Sequence, residues 1–186
     1  MLDYVRYYNL EEYLQSDVNR HFAADGSIGA FDFFSIIIWK ANRAKTQIAR
    51  KLQRMDREQR TDLEAIVREL TSALSKVTSA EARLRMLMED WKFALPMASA
   101  ILTVLWPDDF TVYDVRVCEQ LNDFHGLGSL TRFASVWTAY GQYREAVQAA
   151  VPGDLSLRDK DRFLWAKSSA CQLERDIVHA FVRDGA

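Results

Sequence analysis

No stretch of this sequence alternates apolar and polar residues for long enough to make a half-buried strand, whereas apolar residues recur every three or four positions along most of it. The three prolines, Pro96, Pro107 and Pro152, fall at breaks between these helical patterns. The chain therefore reads as all-α. Its 186 residues, 49% apolar and 27% charged, suffice for a real core in one compact domain, or in two helical lobes sharing a cleft.

The pattern predicts a first helix over Leu10 to Ala23, ending in Ala24-Asp25-Gly26-Ser27, and a largely buried one over Ala30 to Trp39. Another is expected from about Arg43 to Arg54. Leu63, Ile66, Val67, Leu70 and Leu74 mark the apolar stripe of the next. Thr78-Ser79-Ala80-Glu81 has the form of a capping box opening a helix that reaches about Asp90. Met97 to Trp106 has almost no polar side chain and reads as the central buried helix. Asp114 stands as an N-cap after the extended stretch Phe110 to Tyr113. Further helices are expected over Leu130 to Ala150 and from Ser156 onward, the latter with Ala166, Ala170, Leu173, Ile177 and Phe181 on one side.

The N-terminus has no secretory pattern, and the apolar run Phe31 to Trp39 is about half the length needed to cross a bilayer, so a cytoplasmic protein without membrane contact is expected. Cys118 and Cys171 are too few for a disulfide framework or a four-cysteine cluster. His21, His125 and His179 lack ligand spacing, so no metal is expected. Neither a phosphate-cradling glycine loop nor a Gly-x-Ser-x-Gly elbow is present. The formal charge is −2, but Lys40, Arg43, Lys45, Arg50, Lys51, Arg54, Arg57 and Arg60 face only Asp56 and Glu58 in that interval. This local excess of six suits phosphates as well as it suits a solvated helix surface.

The segment from Asp90-Trp91-Lys92-Phe93-Ala94-Leu95-Pro96 through the apolar helix to Pro107-Asp108-Asp109-Phe110-Thr111-Val112-Tyr113-Asp114-Val115-Arg116 resembles the signature of the helix-hairpin-helix DNA glycosylases. Members usually read Leu-Pro-Gly-Val-Gly-x-x-x-Ala, then an apolar helix, then a Pro/Val-rich approach to an aspartate. The likeness covers roughly Phe31 to Arg116, and Leu155 to Trp165 resembles a C-terminal segment of small bacterial relatives. It implies a single glycosylase-like helical domain with two lobes around a cleft. In the family the hairpin amides hold a DNA phosphate and the aspartate faces the sugar of an extruded nucleotide, which makes Asp114 the matching catalytic residue. Lys92-Phe93-Ala94 fall on Gly-Val-Gly, so both hairpin glycines are replaced. Lys92 then supplies a cation near the phosphate. Members that cut the strand carry a Schiff-base lysine where this chain has Pro96, so hydrolysis without strand cleavage is implied, and no cofactor.

The remaining candidates follow from the same resemblance. Asn42, in Trp39-Lys40-Ala41-Asn42-Arg43, matches an amide inserted into the DNA stack, or else caps a helix. Arg43 and Lys45 suit phosphate contacts or the plain surface, and Arg116 suits a phosphate or an internal ion pair. Phe31, Phe34, Trp39 and Trp165 are candidates for stacking on the extruded base, or for the core. The expected partner is double-stranded DNA with an extruded base, bound by a monomer. The alternatives are a catalytically silent DNA-binding module of the same fold and a helical protein-interaction domain. Oxidised, alkylated and hypermodified bases all stay open as substrates, a sugar-decorated cytosine in phage DNA among them.

Overall fold

The computed structural model describes residues 3–179 and 181, and these are helical or irregular, with no strand among them. By its internal contacts the chain divides into two compact units, Met1–Phe110 and Thr111–Ala186.

In the first unit, α1 (Tyr4–Tyr8) is capped by the Asp3 carboxylate, which accepts from the amides of Val5 and Arg6. Helix α2 (Leu10–Tyr13), a π-helical turn (Leu14–Val18) and α3 (Asn19–Asp25) run on as one continuous stretch, two residues past the expected end. It stops where Gly26 turns left-handed at φ 66°, returning its amide to the Phe22 carbonyl. Then follow α4 (Ala30–Ala41), a 3-10 turn (Asn42–Ala44), α5 (Lys45–Met55), α6 (Leu63–Lys76), α7 (Ala80–Arg85) continued by a π turn (Met86–Asp90), and α8 (Leu95–Leu105).

Helix α8 is the centre of this unit: every residue except Pro96 is buried, as its near-total lack of polar side chains predicts. Helices α3, α4 and α7 pack on it. Each such Leu or Ile contributes roughly 1.5–3 kcal/mol by leaving water. The amide of Asn19 closes the end of α8, donating to the carbonyls of Val104 at 2.8 Å and Leu105 at 3.3 Å. The capping signal before α7 is displaced by one residue. Ser79, not Thr78, is the N-cap, accepting from Ala82 at 3.1 Å, and Glu81 pairs with Arg85 at 2.7 Å instead of reaching back.

The second unit contains α9 (Val115–Leu121), a 3-10 turn (Leu127–Ser129), α10 (Phe133–Ala150) and α11 (Leu157–Val178). Helix α10 begins three residues later than the pattern suggests, because the 3-10 turn ends just before Leu130. Phe133, Val136, Tyr140, Tyr143 and Val147 form its buried stripe. Ser156 caps α11 as expected, accepting from Asp159 at 3.0 Å. The buried face of α11 consists of Lys160, Asp161, Leu164 and Ser168. The polar members reach partners there. Lys160 Nζ donates to the Gln148 carbonyl at 2.8 Å, Asp161 pairs with Arg158, and Ser168 Oγ donates to Glu119 at 2.7 Å. Leu173, Ile177 and Phe181 are instead exposed by 53%, 59% and 67%. Among the described residues no helix is long and apolar enough to cross a membrane.

Candidate nucleic-acid interface and the Asp114 segment

In the first unit, α7 with its π turn, the four residues Trp91 to Ala94, and α8 make a helix, a tight hairpin and a helix in succession. The amides of Trp91 and Phe93 return to the carbonyls of Met86 and Leu87, at 3.1 and 2.9 Å, closing the C-terminal end of the first helix. That closure needs a left-handed residue between them, and Lys92 supplies it at φ 56°. A side chain there costs about 1–2 kcal/mol, a cost glycine escapes. Two contacts hold the turn against this strain. Phe93 is buried, its ring centroid 6.4 Å from that of Phe33. Lys51 Nζ donates to the Lys92 carbonyl at 2.7 Å while lying 5.8 Å from the Phe93 ring centroid. Burial, and then the charge of Arg54, lowers the Lys51 pKa from its ordinary value. The Lys92 side chain itself is exposed. Ala94 is exposed too, and its amide has no acceptor among the described residues.

In the second unit, the backbone before Asp114 is gripped by tyrosines. Tyr140 donates its hydroxyl to the Thr111 carbonyl at 2.6 Å and accepts from the Thr111 amide at 3.1 Å. One helical turn on, Tyr143 donates to the Val112 carbonyl at 2.8 Å. Tyr113 donates to the Phe124 carbonyl at 2.8 Å and accepts from Gly128 at 3.2 Å. Burial is the first cause that raises the pKa of all three phenols. Asp114 emerges from this grip extended, at φ −141° and ψ 139°, and caps α9 by accepting from the Arg116 amide at 3.0 Å. Its carboxylate is half-buried. Cys118, one turn further, is fully buried, which pushes its thiol up to about 11, Asp114's charge adding to the effect of burial.

Arg116 and Trp165 meet: the guanidinium lies 5.4 Å from the indole centroid and donates to Gln172 at 2.9 Å. Arg116 therefore braces α9 against α11 without an acidic partner in that contact, and Trp165, 45% exposed, presents an aromatic surface beside it. The other candidates lie in the first unit. Asn42 is not the N-cap of α5, a place that Ala44 takes. It opens the 3-10 turn after α4, exposed, with its amide oxygen accepting from Lys45 Nζ at 2.8 Å. Arg43 lines an open concavity of about 690 Å³ together with Thr46, Gln47, Arg50, Gln53 and Arg54 on the exposed side of α5. Phe31 is 54% exposed, leaning on Tyr7 with centroids 5.5 Å apart, and Phe34 sits against Phe33 at 5.9 Å. Along one helix Phe34 and Trp39 are separated by roughly 140° of rotation. Phe34 and Trp39 thus do not share one face of the helix.

The sequence reading missed Tyr140 and Tyr143, whose signal was two tyrosines three apart on a helix, and the bond from Lys51 to the hairpin, for which there was no signal. No protein family, curated protein or solved structure matches the chain.

Proposed function

We propose that this chain is a monofunctional DNA glycosylase of the helix-hairpin-helix type, hydrolysing the N-glycosidic bond of a base extruded from duplex DNA. The observation that carries the reading is the backbone of Lys92. In the resembled signature a glycine stands at this place in the hairpin, and here a lysine adopts the left-handed conformation that glycine takes without strain. On this reading the hairpin would keep its shape without the hairpin glycines. The Ala94 amide and the Lys92 ammonium would then hold a phosphate, with Arg43, Arg50 and Arg54 adding sequence-independent attraction.

Breaking the bond between base and sugar builds positive charge on the sugar. A fixed, ionised carboxylate stabilises that charge and orients or deprotonates the attacking water. Asp114 is the residue assigned this work, its direction set by the cap to Arg116 and the grip of Tyr140 and Tyr143 on the preceding backbone. Pro96 has no amine, so water rather than the enzyme captures the sugar and the strand stays intact until alkali is added. Of the four candidate aromatics, Trp165 and Phe31 are the exposed ones and are assigned to stacking. Damaged bases and a hypermodified cytosine of phage DNA are the substrate classes to test.

The test is incubation with duplexes carrying oxidised, alkylated and deaminated bases and with glucosylated phage DNA, followed by assay of abasic sites with and without alkali. Alkali-dependent breaks that disappear in Asp114→Asn support the reading. A second reading, a binding module without chemistry, draws on the Asp114 cap, which by itself accounts for an aspartate at this position. Salt-dependent DNA binding with every substrate intact would favour it.

A further inference from the structure

The sequence pattern that sorted one side of α11 into an apolar face is real, but among the described residues that face stays exposed. Phe163, Ala166, Ala170, Leu173 and Ile177 follow one another at steps of three and four, the spacing of a coiled-coil seam. All five are exposed, Phe163 by 51%, Leu173 by 53% and Ile177 by 59%. The buried stripe of the same helix, Lys160, Asp161, Leu164 and Ser168, lies on its opposite side, against α9 and α10. A helix already formed and anchored along one face thus offers two heptads of apolar seam on the other. Such a contiguous patch marks an interaction surface.

We infer that this face of α11 pairs antiparallel with the same face of a second copy of the chain. Two features of the sequence select that occupant and that direction. When the helix is set antiparallel against itself so that the seam positions alternate, Ala170 faces Leu173 of the second copy and Ala166 faces its Ile177. Each small residue meets a large one, so the helices approach closely without voids. The charges agree. In the same register Lys167, beside the seam, faces Glu174 of the second copy, and by symmetry Glu174 faces its Lys167. Both residues are exposed and neither has an ion-pair partner within the chain among the described residues. A parallel pairing would instead set Arg162 against Lys167, two like charges. The small residues and the flanking charges therefore favour the same arrangement, in place of the monomer expected from sequence.

The experiment is sedimentation velocity on the full chain across a concentration series. The unaltered protein forms a concentration-dependent dimer. Leu173→Glu buries a charge in the seam and removes the dimer, while its helical circular dichroism stays unchanged because the residue is exposed in a single copy. Lys167→Glu and Glu174→Lys each replace two attractive contacts with two repulsive ones, weakening association by about tenfold. Mixing these two variants sets an acidic pair on one copy against a basic pair on the other, and the dimer returns. A protein that stays monomeric to the highest concentration it tolerates overturns the inference. So does a dimer indifferent to Leu173→Glu, or one that Lys167→Glu strengthens, as a parallel pairing with Arg162 would require.

Discussion

The central helix of the first unit and the Asp114 segment of the second are held by different kinds of interaction. In the first, α8 is surrounded by apolar side chains and its geometry follows from packing. In the second, the segment entering α9 is held by phenol hydroxyls bonded to backbone carbonyls, and the inner face of α11 carries a lysine and an aspartate. Packing fixes a position loosely and tolerates substitutions of equal volume, whereas a buried hydrogen bond fixes one direction and leaves an expensive orphan when broken. The directional device stands next to Asp114, the residue whose orientation the proposed chemistry needs.

The largest effect that would test this contrast is Ile101→Ala in α8. It leaves a cavity in a fully buried site and should cost about 2–5 kcal/mol, read from urea denaturation. Ile101→Leu, keeping the volume, should cost less than about 1.5 kcal/mol. In the second unit Tyr143→Phe keeps nearly all the volume but removes the donor to the Val112 carbonyl, and should still cost about 1–3 kcal/mol. If glycosylase activity is found, this variant should lose more activity than Ile101→Leu at equal stability. Equal losses would mean that the phenols pack rather than aim.

Lys92→Gly should have the opposite sign, stabilising the fold by about 1 kcal/mol as the left-handed strain is relieved. If the side chain meets a phosphate, the same change lowers the slope of log affinity against log salt by about 1. The smallest effect concerns acid. Arg60 donates to Asp56 from its backbone amide and its guanidinium and holds that carboxyl below the usual range. A lowered folded pKa means the contribution is complete above about pH 4, where the unfolded carboxyl is also ionised, and is lost as pH falls through the lower folded value. Denaturation followed down to acid pH should therefore show a shallower decline for Asp56→Asn than for the unaltered chain.

Helix existence was legible because apolar spacing and caps are local. Ser156, Asp114 and the run Met97 to Trp106 could be read from their neighbours alone. The displaced cap at Ser79 shows the limit of such reading, since two adjacent hydroxyls carry the same signal and only the backbone decides between them. Helix α11 shows a deeper limit: spacing reveals that Ala166, Ala170, Leu173 and Ile177 share a side, but not whether anything covers it. At the candidate site, Asp114 as a helix cap and the chain direction into α9 were visible. The left-handed turn at Lys92 was not, because lysine disfavours it and the compensating bond comes from Lys51, far away in sequence.

The buried thiol of Cys118 makes the Asp114 segment observable by chemistry. With no solvent exposure and its pKa pushed up to about 11, it carries almost no thiolate at neutral pH and offers an alkylating reagent no access. Cys171 is partly accessible and should react first. Modification at Cys118 must wait for α9 to detach, so its rate, divided by that of a free thiol, measures the free energy of local opening at the helix that Asp114 caps. A ligand that closes on Asp114 would slow that clock, even if it is never turned over.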